Sequence, residues 1–105
     1  MATAWASERG WGVAENGRPL SLLVRLRQRS VVLPWALFLF AEGTETELRA
    51  VFHTHAMTVQ GAGLGELLSA FGQQTVVELV EPDRIVKFSV AAGPCITALV
   101  LTENP

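Results

Sequence analysis

The chain has 105 residues and a formal net charge of −2, and only 17% of its residues are charged. This length indicates one domain with one hydrophobic core, and the small negative charge creates no field that would attract nucleic acid, so nucleic acid is not an expected partner. Because charged residues make up about 25% of typical soluble domains, we expect an unusually apolar surface here.

Residues 1–18 contain Trp5 and Trp11 among several glycines and show no sustained hydrophobic period. This pattern is typical of an irregular N-terminal arm, so we assign residues 19–105 to the folded α+β domain. Disordered tails contain few aromatic residues. We therefore expect both tryptophans to dock on the body of the domain or on a neighbouring subunit.

The sequence shows no segment suited to a membrane or to export. Its longest apolar run, residues 31–41, is far shorter than the ~20 residues that cross a bilayer. Glu8 and Arg9 interrupt the apolar segment that an export signal would need. Cys95 is the only cysteine, which excludes an internal disulfide and is typical of a reducing compartment. We expect a cytoplasmic protein that does not act at a membrane.

Two strands are predicted in the first half of the chain. In residues 20–26 one face is entirely apolar and the other carries Ser21, Leu23 and Arg25, which indicates a half-buried strand. Residues 31–41 are apolar throughout, and as a single strand they would need cover on both faces. Pro34 cannot donate to a ladder, so the early part of this strand should lie at an edge or a bulge. A second copy of the chain or an apolar guest molecule is the expected cover.

The remaining pattern predicts one more strand, a helix and a final group of strands. Residues 47–60 are rich in Val, Phe and Thr, and a helical stripe then runs from Leu64 to Phe71, with Gly72 as its stop. Three further strands are predicted over residues 75–81, 84–90 and 95–102. The predicted fold is an α+β domain with one antiparallel sheet of five or six strands, in the order βββ-α-βββ, and one short helix on one face.

His53 and His55 are the only histidines, and in a strand they would project from the same face about 7 Å apart. Such a pair supplies two ligands for zinc or iron, and Cys95 or a glutamate is a conceivable third. The alternative is that both are ordinary strand residues, hydrogen-bonded to Thr54 or to a backbone carbonyl.

Arg25, Arg27 and Arg29 would share one face if the first strand continues to Ser30. Three guanidinium groups in a row can hold a phosphate or carboxylate, or contact RNA. The alternative is neutralisation by cross-strand pairing with glutamates, for which Glu45 and Glu47 are candidates.

Gly61, Gly63 and Gly65 precede the predicted helix, where backbone N–H groups can hold a phosphate. The G-x-G-x-G spacing is neither the dinucleotide motif nor a P-loop. It indicates a turn with close packing, so we predict no cofactor. Spacing also nominates no catalytic residue.

The apolar residues suggest two kinds of site. A cavity for an apolar ligand between helix and sheet would be lined by Trp35, Phe38, Phe40, Met57 and Phe88. An oligomer interface would use Trp5, Trp11, Trp35, Phe38 and Phe40. We expect a non-catalytic interaction protein that acts as a homo-oligomer, dimeric or higher, through an apolar sheet surface. The alternatives are a binder of a small apolar or amphipathic ligand and a metal-dependent enzyme that uses the two histidines.

Overall fold

The computed structural model describes residues 10–82 and 94–104. The predicted strand at residues 84–90, with Phe88, and Trp5 lie outside these described residues. The elements of the described residues are β1 (Trp11–Val13), β2 (Ser21–Arg25), β3 (Ser30–Pro34), a 3-10 turn (Trp35–Leu37), β4 (Phe38–Gly43), β5 (Glu47–Phe52), β6 (His55–Ala62), α1 (Gly65–Gln73), β7 (Val76–Val80) and β8 (Cys95–Glu103).

The strands form two sheets of four, and the order is β1-β7-β2-β3 in the first sheet and β4-β5-β6-β8 in the second. Only β2 and β7 run parallel among the described pairs, and the second sheet is antiparallel throughout. The predicted α+β class with mostly antiparallel strands is confirmed. The prediction of one sheet of five or six strands is wrong, because the strands divide between two sheets.

The apolar run at residues 31–41 is the point at which the chain passes from one sheet to the other. Its first part lies in β3 and its last part in β4, with the 3-10 turn between them. Pro34 ends β3, and Trp35 turns inward, where its indole Nε1–H donates to the Val76 carbonyl at 3.1 Å. The single strand predicted here is therefore wrong. The run divides between the two sheets of the same chain, and Val32, Leu39 and Phe40 remain exposed to solvent.

The predicted strand over residues 47–60 is a hairpin instead. The chain reverses at His53 and Thr54, between β5 and β6. Tertiary hydrogen bonds hold this reversal: the Asn104 side chain donates to the Phe52 carbonyl at 2.9 Å, and the His53 N–H donates to the Leu37 carbonyl at 2.8 Å. Neither residue of the turn is a glycine or asparagine, so the sequence carries no turn signal at this point.

A cluster of four aromatic rings connects the helix to the two sheets. Trp35, Phe38, Phe52 and Phe71 form five ring contacts with centroids 5.2–6.0 Å apart. Phe71 comes from α1 and Phe52 from β5, so the ring contacts join the helix to the second sheet.

The described part of the N-terminal segment contains one short strand. Trp11 lies in β1, pairs with Leu79 of β7 and is 1% exposed, which places its ring in the core. Residues 11–13 thus complete one edge of the first sheet. The irregular arm predicted for residues 1–18 is wrong over these residues, because three residues are too few to show a period of two.

The helix α1 agrees with the predicted stripe but ends later than expected. Leu64, Leu67 and Phe71 are fully buried, whereas Gly72 lies inside the helix and does not stop it. The helix is capped by Gln74 in the left-handed conformation, with φ of 58°, and its N–H donates to the last carbonyls of the helix. No helix in residues 10–82 or 94–104 has the length and apolar character needed to cross a membrane.

Candidate interaction surface

The side of the second sheet that faces away from the core carries both apolar and charged side chains. Leu48 and Ala50 of β5 point into the core, so Glu47, Arg49 and Val51 project to the opposite side. The strand register extends this side across the whole sheet. We call it the outer face, and it comprises Phe40, Glu42, Glu47, Arg49, Val51, Ala56, Thr58, Gln60, Ala98, Val100 and Thr102.

Cross-strand rows place the apolar side chains of the outer face next to one another. One row, across β4, β5, β6 and β8, contains Phe40, Val51, Ala56 and Thr102. The next row contains Glu42, Arg49, Thr58 and Val100. Phe40 is 45% exposed and Val100 is 57% exposed, so two large apolar side chains face solvent on the same sheet.

The charges of the outer face gather at the end of the β4–β5 hairpin. Glu42, Glu47 and Arg49 are exposed and, together with Thr58, line a depression of about 460 Å³. Within the described residues, none of these three charged side chains belongs to an ion pair at 4.0 Å or less. The outer face therefore presents both signs of charge side by side, with no ion pair at 4.0 Å or less among these three residues.

The structure separates the aromatic residues that the sequence grouped into one site. Trp35 and Met57 are buried in the core, and Phe38 is half-buried against the aromatic cluster. Among the described residues of this group, Phe40 is the one that lies on the outer face. The residues that sequence reasoning missed are Arg49 and Val100, whose neighbours in space come from other strands.

The three arginines do not stand together as a free cationic row. Arg25 forms an ion pair with the buried carboxylate of Glu78. The Arg27 backbone N–H donates to Glu81 Oε1 at 2.9 Å, and its Nε lies 3.4 Å from Oε2. Arg29 is exposed beside a depression of about 450 Å³ that Arg27 and Glu81 also line. Carboxylates of the chain itself thus already occupy two of the three guanidinium groups.

The carboxylates that pair with the arginines are not the ones that the sequence suggested. Glu45 and Glu47 lie at the β4–β5 hairpin of the second sheet, whereas Arg25 ends β2 of the first sheet and the other two arginines follow it. The parallel pairing of β2 with β7 brings Glu78 and Glu81 to them instead.

The two histidines do not occupy alternate positions of one strand. His53 lies in the β5–β6 turn and His55 opens β6. The Nδ1 atom of His55 is 2.8 Å from the Thr54 hydroxyl oxygen. Within the residues that the structure describes, no group of three or more His, Cys, Asp or Glu side chains is placed to hold a metal ion. The metal hypothesis has no third ligand in this part of the chain.

The glycine-rich segment before α1 receives a carboxylate of the same chain. The Gly65 N–H donates to Glu45 Oε1 at 3.2 Å, and the Leu64 N–H donates to the Glu45 carbonyl at 2.9 Å. Gly63 has a φ of 64°, which an L side chain rarely adopts. The segment is therefore a turn with close packing, and Glu45 occupies the helix N-terminus where a phosphate could otherwise bind.

Substitution of Glu45 tests this contact. We expect Glu45→Ala to lower the free energy of unfolding by about 0.5–1 kcal/mol, because the helix N-terminus loses both an acceptor and a favourable negative charge. Urea denaturation followed by circular dichroism measures the loss. Glu15→Ala is the matched control, since that side chain is exposed in the loop between β1 and β2 and makes no ion pair with the described residues. Equal stability of the two variants would contradict the role of Glu45.

The outer face combines exposed apolar side chains with charges that have no ion pair in the described residues. Such a mixture suits the binding of another macromolecular surface. We compared the chain with protein-family models, with curated proteins and with solved structures, and none of these comparisons gives a match.

Proposed function

We propose that this is a non-catalytic interaction protein that acts as a homo-oligomer, in which two copies pack through the outer face. The observation that carries the proposal is the exposure of Phe40 and Val100 on one side of the second sheet. Val51 and Ala56, half-buried between them in the cross-strand rows, make the apolar area continuous. Contiguous apolar area of this kind is typical of a protein interface.

The dimensions of the outer face suit a modest interface. Four strands at about 4.8 Å spacing and six residues at about 3.3 Å rise give an area roughly 19 Å by 20 Å. Two such sheets pack face to face about 10 Å apart, with side chains interdigitating. Two such faces amount to roughly 760 Å², which is below the ~1,200–2,000 Å² of stable specific interfaces and typical of weak, transient complexes, so we expect a dissociation constant no tighter than the micromolar range.

The first sheet is a poorer candidate for self-association. Its edge strand β3 is only five residues long and ends in Pro34, which lacks the N–H that a further strand would need. Leu20 is 90% exposed but lies outside the outer face, at the start of β2. Leu20 therefore provides a control position of the same apolar character.

The proposal is tested by the oligomeric state of the Phe40→Glu variant. A carboxylate in place of a large exposed apolar side chain of the contact has no partner there, so we expect the dissociation constant to rise at least about 30-fold. Sedimentation velocity across the micromolar range measures the change, and circular dichroism checks that the fold persists. Leu20→Glu should associate like the unaltered chain. A monomeric unaltered chain at these concentrations would contradict the proposal.

A further inference from the structure

We infer that Arg49 sets the register between the two copies by pairing with Glu42 and Glu47 of the second copy. This inference rests on the proposed function, since it requires the outer faces to meet. It starts from three charges on one surface: Glu42 lies directly opposite Arg49 across the β4–β5 ladder, and Glu47 lies two residues before Arg49 on the same strand.

The geometry within one copy leaves these three charged side chains available to pair with a second copy. All three side chains are exposed, and within the described residues no ion pair at 4.0 Å or less involves any of them. By contrast, Arg25 and Arg27 of the first sheet are already paired with glutamates of β7 and of the segment after it. A guanidinium group with several donors can serve two carboxylates at once. The unpaired charges of each copy are therefore complementary to those of another.

Two-fold symmetry allows each copy to form the same Arg49–glutamate contact with the other. A two-fold axis parallel to the strands and between β4 and β5 places Arg49 over Glu42 of the second copy, with Glu47 of that copy one strand and two residues away. The contact forms twice, once from each copy, as an isologous interface requires.

The charges select the register, whereas the apolar contacts supply most of the strength of association. Apolar contacts between Phe40, Val51 and Val100 are non-directional and would tolerate a shift of one sheet over the other. A shift that brings Arg49 onto its own symmetry mate, or glutamates onto glutamates, places like charges together and is disfavoured. The charged end of the outer face thus excludes the wrong registers that the apolar rows would allow.

A charge-reversal experiment tests the inference. We expect Arg49→Glu, which places carboxylates against carboxylates, to weaken self-association at least about 10-fold, and Glu42→Arg/Glu47→Arg to do the same with arginines. Mixed in equal amounts, the two variants should form a heterodimer that native mass spectrometry resolves by mass. High salt should weaken the heterodimer, because its contacts are ionic. Arg18→Glu, an exposed position in the loop between β1 and β2, is the control and should leave association unchanged.

The outcomes separate the two proposals. A dimeric unaltered chain whose reversed variants still self-associate normally, or fail to pair when mixed, would overturn the role of Arg49 and leave the outer face in place. A monomeric unaltered chain would overturn the proposed function itself. Circular dichroism of each variant shows whether the fold is retained, and a heterodimer from two folded, singly monomeric variants is the supporting result.

Discussion

We expect Trp35→Ala to lower the free energy of unfolding by about 3–5 kcal/mol, the range found when a large buried aromatic ring is removed. Trp35 is 5% exposed, and its ring centroid lies 5.2 Å from that of Phe38 and 5.6 Å from those of Phe52 and Phe71. Its removal leaves a cavity where the helix meets both sheets. Urea denaturation followed by fluorescence of the remaining tryptophans and by circular dichroism measures the loss.

The variant Trp35→Phe separates ring packing from the indole hydrogen bond. It keeps most of the aromatic contact but leaves the buried Val76 carbonyl without the donor that now lies at 3.1 Å. We expect a loss of about 1–3 kcal/mol, smaller than for alanine. A loss below about 1 kcal/mol for the alanine variant would show that the cluster does not hold the sheets together.

The second large effect is expected at Gly61. A Cβ atom at this position would lie 2.0 Å from the Cys95 carbonyl oxygen and 3.1 Å from the Ile96 Cα. Both obstacles are backbone atoms of β8, at the point where the β6–β8 register shifts. Because rigid backbone cannot rotate away, we expect Gly61→Ala to destabilise the protein by about 2–3 kcal/mol, the upper part of the range for overpacking. Thermal or urea denaturation tests this.

Gly72→Ala is the matched control for the glycine prediction. A Cβ atom at Gly72 would meet nothing within 4 Å, and the residue lies inside α1. Alanine is the better helix former by about 0.5–1 kcal/mol, so this variant should be more stable than the unaltered chain. Effects of the same sign at both positions would contradict the assignment of the Gly61 cost to close packing with β8.

The local sequence pattern predicts the helix and its buried face but not its last residue. The apolar stripe from Leu64 to Phe71 predicts both the helix and its buried face, because residues three and four apart share a side of any α-helix. The sequence predicts that the helix stops at Gly72, because glycine commonly ends helices, but Gly72 lies inside the helix. Gln74 supplies the left-handed cap instead, and its N–H is satisfied by carbonyls of the helix.

The candidate interaction surface was only partly visible in the sequence. The sequence predicts Trp35, Phe38 and Phe40 at an interface. Phe40 lies on the outer face, whereas Trp35 and Phe38 pack inward. The alternation of Leu48 and Ala50 with Arg49 is visible locally. The proximity of Thr58 to Val100 is not visible in the sequence, because it depends on the pairing of β6 with β8.

Composition and local period together determined the α+β class, the position of the helix, most strand positions and the expectation of an apolar surface. Tertiary structure alone decided that residues 31–41 divide between two sheets, that the chain reverses at His53 and Thr54, and that Glu78 and Glu81 pair with the arginines. The reason is physical. Period and propensity act over a few neighbouring residues, whereas these features depend on hydrogen bonds and ion pairs between residues far apart in the chain, such as those of Asn104 with the β5–β6 turn.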